Sequence, residues 1–440
     1  MTIRELSTRL QKREVSCHEL MQEIVAAIKA RDVFNSFITQ TFDQALDEAR
    51  ALDNAPSGSP MHGIPIAHKD LFYTRGVRTT AGSLIFKDFI PDFDGDVVAN
   101  LKVAGAVSVG KTNLHELAYG IRSNNPHYGA VLNPRDISRI PGGSSGGSAA
   151  LVAAGLLPIA TGTDTGGSIR IPAAYCGIVG LKPTYDVVSR RGILPLNYGL
   201  DHAGPLGSCV EDCALAMNAM SGGKAEFNLP PLANLKSLRI GIPDAFFFEG
   251  LQPEVEKSIQ TQIENMRRQG ADVTPITLPN FHEVNAASRI VQMSEATALY
   301  VNYRDESLFG KDVWANIQDG RQIFAHEYVN AQRLRKIYRR KMDEVWQRTD
   351  IIITPTTAIT APPRDAVTVQ INGREEDVRL ASTRLVRGWN YLGEPALSMP
   401  GGNDSQGLPI GMQLIAAPYQ DARLLQFAKT LASASGSQLL

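Results

Sequence analysis

Two glycine-rich segments each place serine hydroxyls beside unobstructed backbone, which is the combination that acyl transfer requires. Residues 141–148 read Pro-Gly-Gly-Ser-Ser-Gly-Gly-Ser, and residues 162–170 read Gly-Thr-Asp-Thr-Gly-Gly-Ser-Ile-Arg. Glycines let backbone N–H groups approach a developing oxyanion, and serines supply a nucleophile and a group that relays its proton. Neither segment contains the histidine that usually acts as the base.

Lys69 is the candidate base. Isoleucine, leucine and phenylalanine residues flank it between positions 64 and 72, which predicts that it is buried. Desolvation disfavours the charged form of a lysine, so a buried amine can accept a proton. The neighbouring Asp70 would hold the amine charged, but on an extended strand its side chain points to the opposite face. The alternative is a surface lysine at the end of a strand.

Ser168 is the candidate nucleophile. Two glycines precede it and the start of a helix is predicted after it, so the N–H groups of Thr165, Gly166, Gly167 and Ser168 can converge on a carbonyl oxygen. Taken alone, this cluster is more typical of a serine N-cap after a glycine turn.

The two segments and Lys69 resemble the amidase signature family of serine hydrolases. The similarity extends to Asn133-Pro134 and to residues 172–177 and 180–184, and it continues near the C-terminus at residues 393–402 and 407–411. It therefore covers most of the chain, and it is most specific from about residue 63 to residue 207.

The resemblance implies a Ser-cisSer-Lys catalytic triad. Ser168 would be the nucleophile, Ser144 the proton relay and Lys69 the general base, with a cis peptide bond between Gly143 and Ser144. Ser145 is the alternative relay, but the spacing of the two serines favours Ser144. An acyl-enzyme would form on Ser168 and be hydrolysed by water, with no metal or organic cofactor.

Asp164 and Arg170 flank the nucleophile with opposite charges. An ion pair between them would fix the glycine turn and orient Ser168. The alternative is a surface pair with no catalytic role.

The resemblance also implies one α/β/α domain over residues 1–440, in which helices flank a mixed, largely buried central sheet. We divide it into N-terminal helices (1–56), a catalytic core (57–220), a linker or insertion point (221–237) and a variable substrate-side half (238–440). Apolar periodicity independently predicts strands at 64–68, 107–110, 159–161, 238–242 and 351–355, helices at 42–52, 97–104, 148–156, 253–269 and 328–346, and a hairpin at 368–378.

Two short motif matches carry no function. Residues 142–146 fit G-x-S-x-G, but the α/β-hydrolase fold needs a late histidine and none follows His326. Residues 221–224 fit S-x-x-K, but they lie in the glycine-rich linker.

The composition and charge of the chain indicate which classes of partner to expect. Of the 440 residues 43% are hydrophobic and 20% charged, and the net charge of −1 gives no reason to expect nucleic acid or an anionic membrane as a partner. The four cysteines form no CxxC pair, which is typical of reduced thiols. Charges scattered through the first fourteen residues and the short apolar run at 149–160 favour neither a signal peptide nor a membrane span. We expect a cytoplasmic monomer or homodimer.

The catalytic motifs do not separate two kinds of amidase. One is a stand-alone hydrolase of amides, and also of carbamates or esters; the other is the glutamine-hydrolysing subunit of glutamyl-tRNA(Gln) amidotransferase. The second kind clamps a carboxylate with a basic residue shortly after a Gly-x-x-Val segment, where residues 310–317 offer Ala315 and Asn316 instead. The sequence therefore favours the stand-alone hydrolase. A third hypothesis, a non-catalytic partner protein, is disfavoured by the intact triad.

The predicted substrate pocket includes Tyr119, Gly120, Ile121, Asn316 and Trp389. Aromatic residues in the same region, at positions 309, 314 and 324, suggest aryl amides or aryl carbamates (urethanes) as substrates. Packing in a hydrophobic core would explain these aromatic residues equally well.

Overall fold

An eleven-stranded mixed sheet runs through the computed structural model, which describes residues 1–55, 58–236 and 238–434. The strands of the described residues, in chain order, are β1 Phe37–Gln40, β2 Pro65–Lys69, β3 Val107–Thr112, β4 Asn124–Asn125, β5 Gly129–Ala130, β6 Ile159–Asp164, β7 Val179–Lys182, β8 His202–Gly207, β9 Arg239–Pro243, β10 Asp272–Ile276, β11 Ile351–Pro355, β12 Thr368–Ile371, β13 Arg374–Asp377, β14 Ala396–Asn403 and β15 Pro409–Ala416.

Helices cover the sheet. The α-helices of the described residues are α1 Ile3–Gln11, α2 Cys17–Arg31, α3 Phe42–Leu52, α4 Asp96–Val103, α5 Gly146–Ala153, α6 Arg170–Cys176, α7 Val210–Met220, α8 Pro253–Arg268, α9 Phe281–Tyr300, α10 Lys311–Gly320, α11 Ala325–Trp346, α12 Val378–Thr383, α13 Arg387–Leu392 and α14 Asp421–Ala434. Short 3₁₀ turns occur at Leu84–Phe86, Glu116–Ala118 and Glu306–Leu308.

The strand order across the sheet is β1-β3-β2-β6-β8-β7-β14-β15-β11-β9-β10. Strands β3, β2 and β6 are parallel, the middle of the sheet from β6 to β11 is antiparallel, and β11, β9 and β10 are parallel again. The predicted α/β class with a mixed central sheet is therefore confirmed. Strands β6, β8, β7, β11 and β15 are buried along their whole length, so the middle of the sheet is covered on both faces.

Most of the predicted strands and helices are present, with ends that shift by a few residues. Strands β14 and β15 had no counterpart among the predictions. They bring the C-terminal part of the chain back beside β7, so the catalytic core and the substrate-side half share one sheet. The predicted boundary at 56/57, the last residue of the 221–237 linker and the C-terminal end of the predicted domain lie outside the described residues.

Trp389 lies in a hydrophobic core and does not line a pocket. Its side chain is fully buried, stacks on Phe247 with ring centroids 5.5 Å apart, and contacts the Phe281 ring at 4.8 Å. Phe324, by contrast, is 67% exposed and stacks on His326. The prediction that Trp389 binds substrate is therefore wrong, because α13 turns this side chain towards α9 and the core.

Replacing Trp389 should therefore affect stability strongly. Trp389→Ala removes a fully buried indole, and we expect it to lower the free energy of unfolding by about 3–5 kcal/mol in urea denaturation. Phe324→Ala is the control, with an expected change within about 0.5 kcal/mol. Equal effects of the two substitutions would contradict the assignment of Trp389 to the core.

Candidate active site

Lys69 and the second glycine-rich segment meet at one edge of the sheet. Lys69 is the last residue of β2, and β6 ends at Asp164. The two strands are parallel neighbours, with His68 opposite Thr161. Because the carboxyl ends of parallel strands open onto the same side, the loop after β6 lies next to the Lys69 side chain.

The Lys69 amine is fully buried and held by two hydroxyl groups. Its Nζ donates to Ser144 Oγ at 2.7 Å and to Thr163 Oγ1 at 2.8 Å. Burial lowers the pKa of Lys69 to about 7, against the opposing charges of Asp201 and Asp164. Burial thus favours the neutral amine, whose lone pair can accept a proton from Ser144.

Asp70 turns away from Lys69, as the strand geometry predicts. One of its oxygens lies 3.2 Å from Lys111 Nζ, and the other accepts the N–H and the hydroxyl of Thr80 at 2.8 and 2.6 Å. Asp70 and Lys111 are both fully buried. Asp70 is thus paired with a second lysine and does not hold Lys69 in its charged form.

The first glycine-rich loop presents Ser144 to Lys69. The Gly143–Ser144 peptide bond is cis, as expected. A Cβ on Gly143 would lie 2.8 Å from the carbonyl carbon of Ile121, so only glycine fits at this position. The N–H of His115 donates to Ser144 O at 3.1 Å and fixes the loop from the other side.

Ser145 joins the two glycine-rich loops. Its N–H donates to Ser168 O at 3.3 Å, and its hydroxyl donates to Thr163 O at 3.3 Å. Among the described residues, Ser144 and not Ser145 provides the serine hydroxyl that contacts Lys69. The geometry thus favours Ser144 over the alternative relay.

Asp164 shapes the loop that carries Ser168. Its side chain accepts the N–H groups of Gly167 at 2.7 Å and Ile169 at 3.2 Å. Gly167 has φ +117°, and a Cβ there would lie 2.4 Å from Val386 Cγ2. The predicted oxyanion hole is therefore corrected at Gly167, whose N–H is engaged by a buried carboxylate. The other three amides of the predicted hole have no acceptor within the described part of the chain: Thr165, Gly166 and Ser168.

Arg170 neutralises Asp164 inside the protein. Both side chains are fully buried, and two nitrogens of the guanidinium lie 3.0 Å from the two carboxylate oxygens. Burial alone would raise the pKa of Asp164, but the Arg170 charge and the hydrogen bonds from Arg170 and Asn390 outweigh it and hold that pKa below its usual value. The alternative of a surface pair is wrong.

Arg170 also ties the loop to distant parts of the chain. Its Nη1 donates to Val386 O at 2.9 Å and to Gln413 Oε1 at 2.7 Å, and its Nη2 donates to Asn390 Oδ1 at 2.7 Å. The position of Ser168 therefore depends on α13 and β15 as well as on its own loop.

Ser168 itself is 6% exposed, and its hydroxyl makes no hydrogen bond to another described residue in this structure. The Oγ is therefore unengaged beside three free N–H donors. That is the arrangement a nucleophile needs before a carbonyl substrate enters.

The other predicted pocket residues differ in burial and in their contacts. Tyr119 is 1% exposed and its hydroxyl has no partner among the described residues. Gly120 lies against the His115 ring, Ile121 packs beside Gly143, and Asn316 Oδ1 accepts from Arg379 Nη1 at 2.8 Å. Arg379 thus supplies a guanidinium group at Asn316, so the absence of an arginine from residues 310–317 does not exclude carboxylate binding.

Sequence reasoning missed Thr163, which holds the Lys69 amine, and the arginines of α12 and α13. Thr163 lies within residues 162–170, next to Asp164 on β6. Successive side chains of a strand point to opposite faces, and this alternation was the signal that could have placed Thr163 on the other face from Asp164. Arg379 and Arg387 follow Lys69 by more than three hundred residues and have no local pattern that connects them to it.

The comparisons with known proteins identify the family of this chain. A family model described as Amidase matches residues 19–425. The chain belongs to the amidase family. It is 38% identical over 470 residues to a glutamyl-tRNA(Gln) amidotransferase subunit from Pseudomonas entomophila (strain L48), covering 97% of this chain and 96% of that protein.

Solved structures of amidase-family enzymes share the whole fold. One is a chain from an unexpected vestigial protein complex that reveals the evolutionary origins of an s-triazine catabolic enzyme. Its TM-score to this chain is 0.94 and its sequence identity is 33%, with 100% of both chains covered. A bacterial aryl acylamidase of the amidase signature family has a TM-score of 0.88 and 25% identity, covering 99% of this chain and 96% of that one.

Membrane-spanning and metal-binding features are absent from residues 1–55, 58–236 and 238–434. No helix in these ranges is long and apolar enough to cross a bilayer. No group of three or more histidine, cysteine, aspartate or glutamate side chains in them is arranged to hold a metal ion.

The buried pair predicts a large loss of stability when one partner is neutralised. Asp164→Asn keeps the shape of the side chain but leaves the Arg170 charge buried and unpaired. We therefore expect it to lower the free energy of unfolding, measured by urea denaturation, by about 3–5 kcal/mol. Arg267→Gln breaks an exposed pair with Glu264 and should change the free energy of unfolding by less than about 1 kcal/mol. A small effect of Asp164→Asn would show that the pair does not hold the loop.

Proposed function

We propose that this amidase-family protein is a serine hydrolase that cleaves the C–N bond of small amides through an acyl-enzyme on Ser168. The observation that supports this most directly is the fully buried Lys69 amine, with a pKa of about 7, at 2.7 Å from Ser144 Oγ. A lysine in that state is a general base in the place where the relay serine needs one.

In the proposed acylation, neutral Lys69 takes the proton of Ser144 while Ser144 takes the proton of Ser168. Ser168 Oγ then bonds to the acyl carbon, and the oxyanion accepts from the N–H groups of Thr165, Gly166 and Ser168. This relay requires Ser168 Oγ to close on Ser144 Oγ when substrate binds, which is a common adjustment from unliganded geometry.

The second half of the reaction uses the same groups in reverse. The proton held by Lys69 returns through Ser144 to the amine as the C–N bond breaks, and the amine leaves. Water then loses a proton along the same path and hydrolyses the ester on Ser168. Carbamates and esters follow the same route with a different leaving group, which keeps aryl amides and urethanes among the proposed substrates.

Thr163 serves as a positioning residue in this proposal. Its hydroxyl accepts a hydrogen bond from Lys69 Nζ and fixes the direction of the amine towards Ser144. We propose that the chain works on small molecules as a monomer or homodimer, without nucleic acid or membrane.

A second candidate function is glutamine hydrolysis within a tRNA-dependent amidotransferase complex. The observation that favours it is the 38% identity over 97% of this chain to a subunit of such an enzyme. In that case the acyl group would be the side chain of glutamine and the leaving group ammonia, and a partner would consume the ammonia.

The first test is whether the protein alone hydrolyses aryl substrates through Ser168. We expect nitroaniline or nitrophenol release from an aryl amide, an aryl carbamate or an aryl ester, and a drop in kcat/KM of about 10³-fold or more in Ser168→Ala. Ser405→Ala, at an exposed serine, should match the wild type. Equal release by Ser168→Ala would refute the nucleophile. If the only substrate hydrolysed were glutamine, with release of ammonia, and if this required a partner protein, the second candidate would be supported instead.

The pKa of Lys69 predicts a pH profile. Only the neutral amine accepts a proton, so kcat/KM should rise with pH through a midpoint of about 7 and level off above it. Thr163→Val removes an acceptor that favours the charged amine, so we expect a lower midpoint together with a lower kcat. Lys69→Ala should abolish the rise, and full activity in that variant would rule out the relay.

A further inference from the structure

The N-terminus of α10 is docked onto the segment that follows β3. Two consecutive residues of that segment hold the start of the helix: His115 Nε2 donates to Asp312 Oδ2 at 2.9 Å, and Glu116 Oε2 accepts the N–H of Gly310 at 2.6 Å. The two contacts join positions that are 197 and 194 residues apart in the sequence. They therefore connect the catalytic core to a helix of the substrate-side half.

His115 also contacts the relay serine. Its backbone N–H donates to Ser144 O at 3.1 Å, and the same carbonyl oxygen accepts from Ser123 Oγ at 3.3 Å. These two hydrogen bonds fix the peptide group that follows the Cα of Ser144, whose hydroxyl meets Lys69. A single residue thus contacts the relay through its main chain and α10 through its side chain.

The imidazole of His115 is buried and packs directly on the main chain at Gly120. Its residue is 3% exposed, and a Cβ at position 120 would lie 2.1 Å from His115 Nε2, so only glycine leaves room for the ring. The other ring nitrogen, Nδ1, is buried with no partner among the described residues. Within that part of the chain, Asp312 alone holds the ring by a hydrogen bond.

Asp312 is well placed to hold this ring as a carboxylate. It is the second residue of α10, where the helix dipole favours a negative charge. Partial burial raises the pKa of Asp312, but the contact with His115 and the N–H groups at the start of α10 outweigh that effect and lower the pKa to about 2. A charged acceptor makes a stronger hydrogen bond than a neutral one. The Asp312 side chain is 60% exposed, so it can be replaced without disturbing a hydrophobic core.

The segment after His115 has an unusual backbone conformation. Leu117, Ala118 and Ser123 have φ values of 50°, 57° and 52°, in the left-handed region that non-glycine residues rarely adopt. Such conformations are unfavourable and persist only where the surrounding contacts fix them. The contacts of His115 and Glu116 with α10 lie at the start of this segment. The position of His115 therefore depends on α10 and is not set by local backbone preference alone.

We propose that His115 is a positioning residue for the proton relay. Asp312 holds its imidazole, and its main-chain N–H holds Ser144 so that the hydroxyl meets the Lys69 amine. The inference rests on the proposed function and adds a pair of residues to its relay. Neither side chain of the pair hydrogen-bonds to the relay serine or to the amine, so the pair acts on the rate of proton transfer through geometry.

The first test removes the acceptor on α10. Asp312→Ala should lower kcat for an aryl amide about 10- to 100-fold and change KM less than about threefold, because a small displacement of a catalytic group costs that much. Asp312→Asn keeps an acceptor oxygen and should recover most of the rate. Asp43→Ala is the matched control, since Asp43 is the exposed second residue of α3, and it should match the wild type. A kcat of Asp312→Ala equal to that of the control would refute the inference.

A comparison of two substrates separates positioning from a general loss of folded enzyme. The leaving amine of an amide needs a proton from the relay, whereas nitrophenolate leaves an ester without one. We therefore expect Asp312→Ala to lower kcat for the aryl amide at least several-fold more than kcat for the nitrophenyl ester. Equal losses on the two substrates would show a purely structural role.

Two replacements of His115 test which atom of the ring is required. His115→Gln places an amide nitrogen close to the position of Nε2 and can still donate to Asp312, whereas His115→Asn reaches only as far as Nδ1. We expect kcat of His115→Gln for the aryl amide to exceed that of His115→Asn at least several-fold. Equal values would contradict a role for the contact with Asp312.

The two proposals fail in different ways. Hydrolysis that depends on Ser168 but not on Asp312 would retain the hydrolase and refute only the positioning role. If no substrate is hydrolysed, the hydrolase fails, and crystal structures of the wild type and of Asp312→Ala decide the inference. We expect the 2.7 Å contact between Lys69 Nζ and Ser144 Oγ to be lost in the variant. An unchanged contact would refute the positioning role as well.

Discussion

The burial of Lys69 without a counter-ion in contact is the constraint on which the rest of the site depends. A lysine in water is protonated at neutral pH and has no lone pair for catalysis. Here the end of β2 places the amine inside the protein, where it contacts two hydroxyl groups and the carbonyl oxygen of Thr163. Three carboxylates could neutralise the amine, but each has another partner. Asp70 pairs with Lys111, Asp164 pairs with Arg170, and Asp201 accepts a hydrogen bond from the hydroxyl of Thr165.

The Asp164–Arg170 pair links this chemistry to the fold. Asp164 orders the Ser168 loop through its N–H groups, while Arg170 reaches the carbonyl of Val386 and the side chains of Asn390 and Gln413. The loop of the catalytic core is therefore held by side chains and backbone from the last quarter of the chain. Strands β14 and β15 return to the middle of the sheet, where Gln413 lies within reach of Arg170.

The glycine-rich loops and the wall that faces Gly166 come from different parts of the chain. The glycine-rich loops, with Lys69, carry the motifs through which the sequence resembles the amidase signature family. The wall facing Gly166 is built by α9, α12 and α13, and its excess of positive charge comes from residues that lie far from the loops in sequence.

The candidate residues in the glycine-rich loops could be assigned roles from the sequence because the motifs resemble the amidase signature family, although the Ser168 cluster alone is more typical of a serine N-cap. Glycines before Ser168 mark a close backbone approach, and apolar neighbours of Lys69 mark burial, so the loops and strands that position both were predicted. The Gly167 amide was misassigned because its engagement by Asp164 depends on how the turn folds back on itself. Trp389 was misassigned because the sequence does not say which face of α13 turns to the core.

By itself, the sequence determined the α/β class, the residues that form the proposed triad, and the presence of opposite charges around the nucleophile. The α/β class follows from short apolar runs that alternate with helical ones, whereas the triad assignment rests on the resemblance of the motifs to the amidase signature family. Only the tertiary structure decided that Asp164 and Arg170 are buried together, that Thr163 holds the Lys69 amine, and that Arg387 lies beside Gly166 without a carboxylate partner among the described residues. Burial and pairing of charges depend on contacts between segments hundreds of residues apart, and no local pattern encodes which of those segments meet.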